Sequence, residues 1–213
     1  NVNLDDENVD KAQYYTLEGL VNLKLSNCKA SNRNFHLAIE NGQEDKSVYL
    51  YIAQNSFKLK DYQDTITALE NADEIVKQKP KLMALKAESF YRLKKYNESL
   101  KTLEKINKLH PTYYDAYKQR FSYYVKLKLY QSALKDANTY LAHAKANEKV
   151  TISFIGALKK TKETNKAIVL AENAHLSYPN SATITVLLAN LYIDKEMIES
   201  AATLFDEASL LDS

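Results

Sequence analysis

Histidine and cysteine, the side chains that most often bind metals or act as nucleophiles, are few in this chain and are scattered along it. The four histidines are His36, His110, His143 and His175, and Cys28 is the single cysteine. Zinc sites place their ligands at short, regular spacings, and none of these residues stands at such a spacing from another. The sequence therefore predicts no metal site, and it predicts a packed or solvated role for each of the five.

The residues needed for catalysis or for phosphate binding are also not grouped. Gly19, Gly42 and Gly156 lie too far apart to form a phosphate-binding loop. Acidic pairs such as Glu196 and Glu199 have the spacing of a solvated helix face, and no nucleophile is paired with a base. We therefore predict no catalytic residue and no cofactor, and hence a protein that is not an enzyme.

The overall composition gives no signal for a nucleic-acid or membrane partner. The 213 residues include 29 basic and 27 acidic side chains, a net charge of +2, which is too balanced to attract a polyanion in general. A bilayer-spanning helix needs a run of about 18 apolar residues, and the sequence has none. We expect neither a nucleic-acid ligand nor a membrane span.

A repeating pattern of small residues sets the positions of the side chains. One column recurs at a constant step: Ser31, Thr65, Ser99, Ala133, Ala167 and Ala201. Two further columns keep the same step: Gly19, Ala53, Ala87, Phe121, Ile155 and Ala189, and Ala38, Ala72, Ile106, Tyr140, Ala174 and Ala208. A step of about 34 residues is the length of a helix–turn–helix repeat. The columns predict six units: 12–45, 46–79, 80–113, 114–147, 148–181 and 182–213.

The third unit shows the two helices most clearly. Pro80 opens the first helix, where its missing N–H does no harm. Apolar residues follow at helical spacing, and a short polar turn precedes Tyr96. The second helix stops before Pro111, because proline disfavours helix in the residue before it.

These columns resemble the tetratricopeptide repeat family, over residues 12–213. The family's bulky first-helix position is held by Tyr15, Tyr49, Met83, Tyr117, Thr151 and Thr185. The resemblance implies an all-α fold, a right-handed α-solenoid (superhelix) of six helix–turn–helix repeats, preceded by an N-terminal segment at 1–11. The family's leucine is replaced by Glu18, Lys86 and Arg120, which we expect to lie nearer solvent with their alkyl stems packed.

The resemblance also implies a function. Arrays of this family bind a protein or peptide segment in a concave groove lined by the first helices. At the groove positions of the family, the partner-binding residues predicted here are Tyr51, Gln54, Phe57, Lys58, Lys81, Glu88, Tyr91, Arg92, Lys118, Ser122 and Lys126. We expect a non-catalytic scaffold or adaptor.

The charge of the predicted groove favours an acidic partner segment. One column is basic in five units and acidic only in the sixth: Lys24, Lys58, Arg92, Lys126, Lys160 and Asp194. The alternative explanation is that lysine near the end of a helix complements the helix dipole.

A second function also fits the sequence. The final helix carries Ala201, Leu204, Phe205, Ala208, Leu210 and Leu211, without a polar capping helix after it. This favours a structural or self-associating segment of a longer solenoid, with a homodimer through the C-terminal repeat. A bacterial envelope assembly is one setting for either function, and the sequence leaves the compartment open between the periplasm or envelope and the cytoplasm.

Overall fold

The computed structural model describes residues 9–144 and 147–211, and all regular secondary structure in these residues is helical. The first helices of the six repeats are α1 (Lys11–Lys24), α3 (Ser47–Lys58), α6 (Pro80–Arg92), α8 (Asp115–Lys126), α10 (Glu148–Lys160) and α12 (Ala182–Ile193). The second helices are α2 (Cys28–Glu40), α4 (Tyr62–Asn71) with its short continuation α5 (Asp73–Lys77), α7 (Tyr96–Leu109), α9 (Tyr130–His143), α11 (Thr164–Ser177) and α13 (Ile198–Leu211). Residues 1–8 of the predicted N-terminal segment 1–11 lie outside the described residues.

The second helices begin at the constant step of the repeat, from Cys28 to Ile198. Several helices start at a side chain that accepts a hydrogen bond from a free backbone N–H of the first turn. Asp10 accepts from the N–H of Gln13 at 2.9 Å, and Asp61 accepts from that of Asp64 at 3.0 Å. Such caps satisfy donors that the helix itself cannot pair.

The turn inside each repeat is built in the same way six times. One residue adopts left-handed backbone geometry, with φ between 59° and 64°: Ser26, Lys60, Lys94, Lys128, Lys162 and Glu196. The next residue donates its N–H to the carbonyl five positions back, as Lys95 does to Phe90 at 2.9 Å. This is the Schellman pattern, which ends a helix by satisfying its last carbonyls. Glycine usually fills the left-handed position, but none of these six residues is a glycine.

The chain forms two compact units, one up to Tyr113 and the other from Tyr114 on. In the first unit each helix packs mainly against its neighbours in the chain, as expected of stacked repeats. Its core contains fully buried side chains from α2, α3, α4 and α7: Phe35, Ile52, Leu69, Leu103 and Ile106.

The second unit is organised in the same manner around its own apolar cluster. Phe121 and Phe154 meet edge to face with their ring centroids 4.3 Å apart, a favourable geometry for two aromatic rings. Ile155, Ile184 and Leu191 complete the most deeply buried part of this core. One uninterrupted array over 12–213 stays a prediction.

The three columns that define the repeat are buried in every repeat. Close approach of helix backbones explains the small residues in them. Gly19 is the tightest case, because a β-carbon added there would lie 2.5 Å from Cε1 of Phe35. Glycine is thus the only residue type that fits against the Phe35 ring at this crossing.

Candidate partner-binding surface

The predicted partner-binding residues lie on three first helices, α3, α6 and α8. Eight belong to the first unit, from Tyr51 to Arg92, and Lys118, Ser122 and Lys126 belong to the second. Gln54, Lys58, Lys81, Arg92 and Lys126 are exposed, and the other six are half-buried. All eleven therefore reach the surface and are accessible to a partner in their own unit.

The aromatic members of this set are held by a second ring. Tyr51 stacks on the buried Phe35, with ring centroids 5.4 Å apart and planes 19° apart. Phe57 meets Tyr62 edge to face at 5.5 Å. Tyr91 meets Tyr96 at 5.2 Å. Because each ring is fixed by its neighbour, these residues offer rigid apolar edges whose ordering costs little on binding.

Tyr91 is also held in its neutral form. Partial burial, with the nearby Tyr96 and Glu88, raises the pKa of the Tyr91 hydroxyl above its usual value of 10.0. A tyrosine is already uncharged at physiological pH, so the raised pKa only moves ionisation to more alkaline pH, and the phenol can donate a hydrogen bond.

The positive charge of the surface is partly balanced within single helices. The Arg92 Nε atom lies 2.6 Å from Glu88 Oε1, and the Lys118 Nζ atom lies 2.6 Å from Asp115 Oδ1. Within the part of the chain that the structure describes, no carboxylate forms an ion pair with Lys58 or Lys81. The uncompensated charge of the predicted surface is therefore smaller than the sequence indicates, and Lys58 and Lys81 contribute to it in the first unit.

A pocket opens between α3 and α6 in the first unit, with a volume of about 530 Å³. Its lining residues are Leu50, Gln54, Gln78, Lys79, Pro80, Lys81, Leu82 and Tyr113. Such a volume is typical of sites that hold a small molecule or a few side chains of a peptide.

The pocket lining has two chemical parts. Leu50, Pro80 and Leu82 contribute apolar surface to the lining, and Lys79 and Lys81, both exposed, contribute two basic side chains. The first turn of α6 begins at Pro80, so the positive end of that helix dipole also lies here. The arrangement fits an apolar side chain followed or preceded by a carboxylate.

The sequence predicts only some of the residues that line this pocket. Gln54 and Lys81 are among the predicted binding residues, and the structure brings them to one cavity. Gln78, Lys79 and Tyr113 are not, because they lie at the ends of repeats rather than at first-helix groove positions. The Lys79-Pro80-Lys81 triplet is the available signal, since proline marks the helix start where two lysines would cluster.

Two charged replacements of the family's leucine are held by ion pairs. Lys86 is half-buried and pairs with Glu70, with Nζ and Oε1 3.0 Å apart. Arg120 is also half-buried, and it pairs with the buried Asp136. Both replacements lie nearer solvent than the apolar residues of the same column, Ile52, Phe154 and Leu188, which are buried, so the expectation agrees with the structure. The sequence does not predict the ion pair of Arg120 with a buried charge on the next helix.

The histidines make separate contacts. The His143 ring stacks on Tyr114, with centroids 5.0 Å apart. His175 lies 3.2 Å from the hydroxyl of Thr185 and 3.5 Å from a carboxylate oxygen of Glu207. Across residues 9–144 and 147–211, His, Cys, Asp and Glu side chains form no group of three that could hold a metal. The helices in these same ranges are also too short or too polar to cross a bilayer.

Comparison with known proteins identifies the repeat. Residues 24–106 match the family profile of the anaphase-promoting complex (cyclosome) subunit 3. No curated protein sequence is similar enough to the chain to count as a match.

Solved structures of tetratricopeptide repeat proteins share the fold. The C-terminal part of such a protein from Cytophaga hutchinsonii has a TM-score of 0.79 at 14% identity, over 94% of this chain and 78% of its own. MamA from Desulfovibrio magneticus RS-1 has a TM-score of 0.67 at 19% identity, covering 80% of this chain and 96% of its own. YrrB, described as a tetratricopeptide repeat protein with an unusual peptide-binding site, has a TM-score of 0.67 at 18% identity, over 83% of this chain and 91% of its own. The predicted fold class, an all-α solenoid of helix–turn–helix repeats, is confirmed, and the profile match and these structures support the resemblance to tetratricopeptide repeat proteins.

Proposed function

We propose that this tetratricopeptide repeat protein is a non-catalytic scaffold that binds an extended segment of another protein on its first helices. The pocket between α3 and α6 carries the proposal, because its lining combines apolar residues with two lysines. A peptide-binding site in YrrB supports the same kind of partner for this fold.

The chemistry of the pocket favours an acidic segment with an apolar anchor. An apolar side chain of the partner would lie against Leu50 and Leu82, and a neighbouring Asp or Glu would face Lys79 and Lys81. The rigid rings of Tyr51, Phe57 and Tyr91 would offer further apolar contacts on the same helices. Lys118, Ser122 and Lys126 remain predicted partner-binding residues of the second unit.

Peptide selection tests this proposal without knowledge of the natural partner. Random peptides displayed on phage are selected against the full chain, and the recovered sequences are synthesised for titration. We expect sequences that place Asp or Glu beside a large apolar residue, with binding that weakens as salt is raised.

Charge reversal identifies the site. The double variant Lys79→Glu with Lys81→Glu is expected to weaken binding of the selected peptide about tenfold and to reduce its salt dependence. Lys101→Glu is the matched control, since Lys101 is exposed on α7 and does not line the pocket. Equal affinity for the wild type and the double variant would exclude this pocket as the binding site.

Self-association through the C-terminal repeat is the second candidate function. The exposed Ile198 and Leu210 on α13 favour it, because large apolar side chains on an outer helix face often mark a contact surface.

A further inference from the structure

One column of the repeat is buried in every later repeat and exposed in the first. Val21 on α1 is 52% exposed, whereas its equivalents in the five later repeats are all buried: Asn55, Ser89, Tyr123, Ala157 and Leu191. Leu17, one helical turn earlier on the same face, is 56% exposed. Together with Leu25, the residue that follows α1, these residues form an apolar stripe, which we call the α1 face.

A second column shows the opposite pattern at the other end. Phe205 on α13 is 36% exposed, whereas its equivalents are all buried: Phe35, Leu69, Leu103, Ala137 and Ala171. Ala202 on the same helix is exposed as well, although Ile66 and Leu134, its equivalents in two earlier repeats, are buried. We call the surface formed by Ala202 and Phe205 the α13 face.

These two columns meet each other where the second repeat packs on the first. In the first unit the Phe35 ring on α2 stacks on Tyr51 of α3, with centroids 5.4 Å apart. Tyr51 is the equivalent of Leu17 in the second repeat, and Phe35 is the equivalent of Phe205 in the first. The internal contact therefore pairs the column of Phe205 with the column of Leu17.

A second internal contact joins the same two surfaces. The Asn55 side chain on α3 donates hydrogen bonds to Ser31 Oγ at 3.0 Å and to Asn32 Oδ1 at 2.9 Å on α2. Asn55 is the equivalent of Val21, and Asn32 is the equivalent of Ala202. On α1 and α13 both of these positions are apolar, so the α1 face and the α13 face are complementary in chemistry as well as in register.

The charges of the two end repeats are also opposite. The α1–α2 hairpin carries four basic and two acidic side chains, and the α12–α13 hairpin carries one basic and five acidic side chains. Opposite net charges steer two surfaces towards each other.

We propose that the α13 face of one copy of this chain binds the α1 face of a second copy, head to tail, and continues the stacking of repeats between molecules. Phe205 then packs on Leu17, and Ala202 on Val21, of the second copy. Because the two faces differ, the contact is heterologous, and each bound copy leaves one face free for another.

One pair of charges works against this contact. In the internal interface Glu70 pairs with Lys86, and the same positions on α13 and α1 hold Asp206 and Glu18. Two carboxylates would face each other there. Association between wild-type copies is therefore expected to be weak, and reversal of Asp206 should strengthen it.

Sedimentation velocity of the full chain over a range of concentrations tests the proposal. For the wild type we expect the average mass to rise with concentration without a limit at two copies. Leu17→Glu alone and Phe205→Glu alone should each remain at the mass of the monomer, because each lacks one face. Mixed together, these two variants should form a one-to-one pair, since each supplies the face that the other lacks.

Two further variants complete the design. Asp206→Lys should strengthen association about two- to fivefold at low salt and lose this gain at high salt. Val169→Glu is the matched control, because Val169 is 57% exposed on α11 and lies on neither face. It should associate like the wild type. Thermal melting of each variant verifies its folding.

Three results would overturn the proposal. They are a wild type that stays monomeric at every concentration, a Leu17→Glu variant that still dimerises, and a mixture of the two variants that stays monomeric. The second result would instead indicate a symmetric contact through α13. None of these results depends on peptide binding at the α3–α6 pocket. If head-to-tail association fails, the proposal that this pocket binds a partner segment is therefore unaffected.

Discussion

The guanidinium of Arg120 holds the carboxylate of Asp136 through two hydrogen bonds, Nε to Oδ2 at 2.7 Å and Nη2 to Oδ1 at 2.6 Å. The Asp136 side chain is only 3% exposed and that of Arg120 14% exposed. The rings of Tyr117 and Tyr124 lie 5.6 and 6.0 Å from the guanidinium carbon. An ion pair buried so deeply needs both partners, because either charge alone would be left without compensation.

We predict that Asp136→Ala destabilises the protein by about 3–5 kcal/mol, since it leaves the guanidinium buried and unpaired. The second repeat holds Ile52 and Ala68 at the two equivalent positions. Replacing both members, Arg120→Ile with Asp136→Ala, should therefore recover most of the loss. Urea unfolding followed by circular dichroism measures both effects. A single variant within about 1 kcal/mol of the wild type, or a double variant no better than the single, would contradict this account.

Two glycines inside first helices give opposite predictions for the same substitution. A β-carbon at Gly19 would lie 2.5 Å from the ring of the fully buried Phe35, whereas one at Gly156 would meet no atom within 4 Å. Gly19→Ala should destabilise by about 1–3 kcal/mol through overpacking. Gly156→Ala should stabilise by about 0.5–1 kcal/mol, because alanine restricts the unfolded chain and favours helix. Melting temperatures that move in the same direction for both variants would be inconsistent with the stated packing.

The left-handed turns predict a stabilising glycine. Lys94 has a φ of 60°, a conformation that costs energy for any residue with a β-carbon. Lys94→Gly should therefore stabilise by about 0.5–1 kcal/mol. Lys101→Gly, in the middle of α7, is the control and should lose about 1 kcal/mol. A lower urea midpoint for Lys94→Gly would show that the lysine side chain stabilises the turn by more than its backbone strain costs.

The positions of the helices could be predicted from the sequence, because small residues recur at the sites where large side chains are sterically excluded. Where two helix backbones cross, only a small side chain fits. The column that contains Ser99 and Ala133 therefore indicates where the helices cross in each repeat. Each first helix begins at the place where the repeat period puts it or at the residue next to it, as α6 does at Pro80.

Polar contacts between helices could not be predicted in the same way. The repeat pattern does not predict the ion pair of Arg120 with Asp136 on the next helix, because this pair depends on which faces of α8 and α9 meet. The hydrogen bonds from Asn55 to Ser31 and Asn32 likewise depend on how α3 packs on α2.

The candidate site could be predicted only in part, for a related reason. The repeat pattern indicates which first-helix positions reach the surface, and so it identifies Gln54 and Lys81. It does not describe the segments between repeats, where Gln78, Lys79 and Tyr113 contribute to the pocket. The ion pair of Arg92 with Glu88 has the i,i+4 spacing of neighbours on a helix, so the sequence does indicate that pair.

Site-specific photo-cross-linking tests most directly whether a partner segment lies in the α3–α6 pocket. A photoreactive phenylalanine analogue replaces Gln54 at the pocket in one protein and the exposed Thr67 on α4 in another. Each is irradiated with the acidic peptide obtained by selection, and mass spectrometry locates the cross-link. We predict an efficient cross-link from position 54 through the apolar residue of the peptide, and little from position 67. Equal yields from both positions, or a yield at position 54 that is unchanged in the Lys79→Glu, Lys81→Glu background, would contradict the account.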